Sequence, residues 1–125
     1  MIIKKLVVGS MFSMLLGSEM AAADWDDVYY CQMTNLLKIT VGGTTQKQTL
    51  GKFQFKLDQT KNAMVFGSKG YFKDSVLKLG NNWPDQEVWY AGGEHSRAYF
   101  SKGKFLFTYT GVDGAFAASA DCEKF

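Results

Sequence analysis

The chain is poor in the residues on which most protein chemistry depends. Its 125 residues include one histidine (His95), one proline (Pro84), one arginine (Arg97) and two cysteines (Cys31 and Cys122). So few ligating and nucleophilic side chains exclude zinc modules and leave little for a nucleophile–base pair. Long apolar runs are also missing. The run from Leu6 to Leu16 spans 11 residues and is interrupted by Gly9, Ser10 and Ser13, whereas a membrane-spanning helix needs ~20. No stretch repeats apolar residues at i, i+3, i+4 and i+7 between helix caps, so helix content should be low. Multidomain enzymes, coiled coils and collagen-like repeats are excluded on the same grounds.

What is present is apolar and aromatic. Hydrophobic residues make up 46% of the chain and charged residues 21%, a globular balance, while aromatics reach 15%. The first 23 residues read as a cleavable secretory signal. Lys4 and Lys5 supply the positive start, the short apolar run follows, and Ala21-Ala22-Ala23 offers small residues for cleavage before Asp24. The expected product is a single domain, 24–125, that is periplasmic or secreted and carries no transmembrane segment. Export leads to an oxidising compartment, where Cys31 and Cys122 can pair only with each other. Such a bridge would close a loop of about 90 residues and bring the first and last strands together.

The dominant period is two. Tyr29, Cys31 and Met33 share one face, and Leu37, Ile39 and Val41 share another before Gly42-Gly43. Phe53, Phe55 and Leu57 alternate with Lys52, Gln54, Lys56 and Asp58; Phe105, Phe107 and Tyr109 alternate with Lys104, Leu106 and Thr108. Phe116, Ala118, Ala120 and Cys122 lie opposite Ala117, Ser119 and Asp121, after the hairpin signal Asp113-Gly114. Shorter runs cover 63–66, 77–79, 88–91 and 95–101. Gly51-Lys52-Phe53-Gln54-Phe55 is echoed by Gly103-Lys104-Phe105-Leu106-Phe107, too short a match for a repeat. Closely spaced strands between glycine and asparagine turns predict an all-β domain. The expectation is a single small antiparallel barrel of about eight strands, with a β-sandwich as the alternative and a disulfide joining the terminal strands. That architecture is similar to lipocalin- and avidin-like barrels. The length and the cysteine near the end resemble periplasmic inhibitors of C-type lysozyme, with Ser96-Arg97-Ala98-Tyr99 as the stretch of likeness. No family follows from it.

Catalysis finds little support. Glu94, His95 and Ser96 are consecutive, and neighbouring strand residues point to opposite faces, so they do not converge as a triad must. Trp83-Pro84-Asp85 resembles the mobile loop of protein tyrosine phosphatases, but neither cysteine lies in the arginine-ended phosphate loop that chemistry requires. Asp24, Asp26 and Asp27 lack the ligand spacing of a calcium loop. Charge is unevenly distributed: seven lysines against two aspartates between 47 and 78 give a basic middle between acidic ends.

The expected function is a non-catalytic, cofactor-free binding module for a small hydrophobic ligand or for a protein or envelope partner. Trp83, His95, Arg97, Tyr99, Lys52, Lys56 and Lys78 are the candidate contacts. A structural envelope protein using a lysine-rich face is the alternative, with an inhibitor of a secreted hydrolase or a small enzyme behind it. Nucleic acid is not an expected partner for an exported chain with one arginine.

Overall fold

A computed structural model describes residues 22–80 and 87–125. Residues 1–21 of the signal-like segment 1–23, and the candidate contact Trp83, lie outside them. The described residues form nine strands and no helix: β1 (Val28–Thr40), β2 (Thr45–Lys47), β3 (Lys52–Asp58), β4 (Ala63–Phe66), β5 (Val76–Leu79), β6 (Trp89–Gly92), β7 (Ser96–Ser101), β8 (Lys104–Gly111) and β9 (Gly114–Lys124). They pair antiparallel in the order β9-β8-β7-β6-β5-β4-β3-β1-β2, and β9 pairs with β1 as well. The sheet therefore closes on itself as an eight-stranded barrel, with β2 as an extra strand along β1. Closure removes most exposed edges.

The closing seam is where the two cysteines meet. Cys122 lies opposite Cys31 in the β9–β1 ladder, and the pair forms a buried disulfide. The bridge spans a sequence separation of 91 residues and ties the last strand to the first.

β1 is one strand where the periodicity suggests two. Tyr29, Cys31 and Met33 face inward, but after the bulge the inward residue is Leu36, and Leu37 and Ile39 point out. Met33 pairs with Ala120 and Asn35 with Ser119, which leaves Thr34 as the extra residue. Ser119 holds the bulge: its hydroxyl lies 2.7 Å from Thr34 Oγ1 and accepts from Asn35 Nδ2 at 3.0 Å. An inserted residue reverses which side chains face the core.

Opposing strands differ in length, and this shapes the molecule. β1, β8 and β9 have 13, 8 and 11 residues, while β4, β5 and β6 have four each. One wall therefore rises past the rim of the other. Below the rim, inward side chains fill the barrel. Phe53, Phe55, Phe66, Phe100, Phe105 and Tyr29 are buried against one another, with Phe53 to Phe105 at 4.9 Å and Tyr29 to Phe100 at 4.6 Å. Such edge and tilted contacts are favoured by the ring quadrupoles. The echoing segments at 51–55 and 103–107 thus supply facing rings to one core. At the base, residues 22–27 cross the barrel end: Trp25 packs edge-on against Trp89 at 5.0 Å, and Lys124 reaches Asp27 at 3.3 Å.

Candidate binding site

Above the rim, the inward residues of the tall wall have no strand opposite them. Leu36 of β1, Phe107 and Tyr109 of β8 and Phe116 of β9 instead face the loop between β4 and β5, which contributes Tyr71 and Phe72. These six side chains line an open apolar pocket of about 250 Å³. Phe72 packs on Phe107 at 4.6 Å and Tyr71 sits edge-on to Phe72 at 4.8 Å. Tyr109 remains 37% exposed and Tyr71 45%, so aromatic surface that a closed core would bury faces solvent here. Lys38 Nζ stands 5.5 Å from the centre of the Phe116 ring, a cation at the lip of the site.

The loop that forms the far wall is fixed by its own backbone. Tyr71 N–H donates to the Lys52 carbonyl at 3.0 Å, Asp74 N–H to Gly67 at 2.8 Å, and Ser75 N–H to Phe72 at 3.0 Å. Gly70 has φ +98°, and a Cβ there would lie 2.6 Å from the Lys52 oxygen, so glycine is required for the loop to dock on β3. The pocket is thus largely preformed.

The remaining candidates fall into separate places. His95, in the turn between β6 and β7, is exposed at the pocket's edge: its ring lies 6.4 Å from Tyr109 and its Nε2 3.9 Å from Glu94 Oε1. Ser96 pairs with Tyr109 in the ladder and points to the inner face. Arg97 and Tyr99 point outward from β7. Tyr99 meets Tyr90 at 5.4 Å, and Arg97 lies across Gly92 from Lys78. Lys52 and Lys56 are on the outer face of β3, where Lys56 approaches Asp26 at 3.9 Å. In the register, Lys56 aligns with Val65 and Val76, whereas Lys78 aligns with Ala63. The three lysines do not line up on one row. Among the described residues, no group of three His, Cys, Asp or Glu side chains is placed to hold a metal ion.

The pocket-lining aromatics were not among the sequence candidates. Phe107, Tyr109 and Phe116 read as ordinary core positions of alternating strands, and only unequal strand lengths expose them. The available signal was the contrast between the long alternating runs at 104–110 and 116–123 and the short runs at 63–66 and 77–79.

Burial perturbs one titratable group strongly. Tyr29 is 1% exposed, and burial, reinforced by the negative charge of Asp27, pushes its hydroxyl up to about 12. The group belongs to the base of the barrel rather than to the pocket. In comparisons with known proteins, no family model matches the chain, and neither does any curated protein or solved structure.

Proposed function

We propose that this domain is an exported, non-catalytic binding module whose barrel mouth receives an uncharged apolar group. The observation that carries the reading is the pocket formed by Leu36, Phe107, Tyr109, Phe116, Tyr71 and Phe72, where partly exposed rings form a concave wall. A volume of about 250 Å³ suits a ring system or a short acyl segment. It is smaller than the ~300–1,000 Å³ of pockets that enclose whole drug-sized ligands. The occupant is therefore an end of a molecule, held by the mouth while the rest stays in solvent. The packed centre supports the same reading, because ligand cannot pass the rings of Phe53, Phe55 and Phe105 without unpacking them.

The extracellular address rests on the export-like leader and fits the buried Cys31–Cys122 bridge, since disulfides persist in oxidising compartments. A lysine-rich contact face has less to recommend it. Lys56 is near Asp26, and Lys52, Lys56 and Lys78 do not share one row of the sheet.

The test is fluorescence titration with N-phenyl-1-naphthylamine, an uncharged aromatic probe. Mature protein should enhance its emission with a Kd on the order of ten micromolar. Tyr109→Asp and Tyr71→Ser should each weaken binding by roughly tenfold, through a buried charge and lost contact area. Tyr30→Ser, on the outer wall, should leave it unchanged. Equal affinity in all four proteins, or no enhancement with the unsubstituted one, would refute the assignment.

A further inference from the structure

We propose a second, ionic site on the outer wall of the barrel: a notch between Lys78 and Arg97 that binds an oxyanion, carboxylate or phosphate. It is independent of the apolar mouth. The ladders place Lys78 of β5, Gly92 of β6 and Arg97 of β7 side by side on one row. Lys78 and Arg97 point outward, and Gly92 between them has no side chain. The result is a depression of about 390 Å³, with Tyr90 on the neighbouring row as part of its wall.

The donors in this notch are oriented. Arg97 Nη1 donates to the carbonyls of Gly93 at 3.2 Å and Ser96 at 2.9 Å. A guanidinium has five N–H donors, so both hydrogens of Nη1 are spent on the backbone and the Nε/Nη2 edge is left. That edge presents two parallel N–H groups, the fork that matches two oxygens of a carboxylate or phosphate. The Lys78 ammonium, with one donor on the Lys61 carbonyl at 3.2 Å, keeps two for a ligand. Among the described residues, no acidic side chain lines the depression and neither cation is within ion-pair distance of a carboxylate. Two cations sharing a concave surface without an acid repel each other, and a bound oxyanion relieves that repulsion. Tyr90 supplies a ring against which the ligand's body can lie.

Arg97 is the sole arginine of the chain, so its Nε–H gives one side-chain resonance in an ¹⁵N correlation spectrum at pH 6. Benzoate and phenyl phosphate are the probes, and benzyl alcohol is the uncharged control. Both anions should shift the Arg97 Nε–H signal saturably, and their relative affinities decide between the carboxylate and phosphate sources. Lys78→Gln should weaken the response at least fivefold, and 0.5 M salt should weaken it in the parent protein. In Gly92→Ala the new methyl would meet Nη1 at 2.9 Å and displace the guanidinium, abolishing the shift while backbone resonances elsewhere stay in place. The proposal fails if the signal does not move with either anion, moves equally with benzyl alcohol, or moves equally in Lys78→Gln.

Discussion

Tyr29 shows how a single side chain ties stability to pH. Its ring lies between Phe55 and Phe100, at 5.6 and 4.6 Å, and ionisation there would place a charge in an apolar core beside Asp27. The folded pKa of about 12 exceeds the ordinary value of 10. Between those values the folded state holds a proton that the unfolded chain releases, so stability is complete below pH 10 and falls as pH rises toward 12. The loss should be on the order of 2 kcal/mol, read as a falling urea midpoint. Tyr29→Phe should remove this pH dependence, along with the late component of the tyrosinate absorbance at 295 nm. A midpoint that falls just as steeply in Tyr29→Phe would assign the effect to another group. At this scale the sequence was partly legible. Tyr29 was a visible inward residue, but the role of Thr34 was not. A strict period of two cannot register an inserted residue, so the bulge read as the end of one strand and the start of another.

At the scale of elements, the strands and their faces were legible because each carries its own alternation. Phe53, Phe55 and Leu57 face the core as expected, and so do Ala118, Ala120 and Cys122. The hairpin at Asp113-Gly114 forms as its composition predicts, with Gly114 at φ +137° packed on the Ile39 carbonyl. β2 was missed: Thr45, Gln46 and Lys47 are all exposed and carry no alternation, and they are strand only because β1 offers them an edge. The bridge between β1 and β9 is the element-scale feature with the largest energetic consequence. Closing a loop of 91 residues is worth ~4–5 kcal/mol in the chain-entropy account. Reduction, or replacement of both cysteines by alanine, should lower unfolding free energy by ~2–5 kcal/mol in urea titrations with little change in native circular dichroism. An unchanged midpoint would show that the seam holds without its covalent link.

The whole molecule is a barrel with a full interior and one tall wall. Barrel closure and the end-to-end disulfide were legible, since strand spacing and cysteine position both report on connectivity. The mouth was not, because it arises from a mismatch between strands far apart in sequence: β8 and β9 outrun β4, β5 and β6, and the loop carrying Tyr71 and Phe72 only partly covers the exposed rings. The notch was half legible. Lys78 and Arg97 were both candidates, but their meeting across Gly92 depends on register. The central claim is that ligand enters the mouth and stops at the packed rings, and methyl NMR tests it most directly. During titration with N-phenyl-1-naphthylamine, the Leu36 methyls, on the pocket wall, should shift by ring current. Those of Leu57 and Met64, fully buried, should stay fixed. Shifts at Leu57 and Met64, or a silent Leu36 in a protein that binds the probe, would contradict the account.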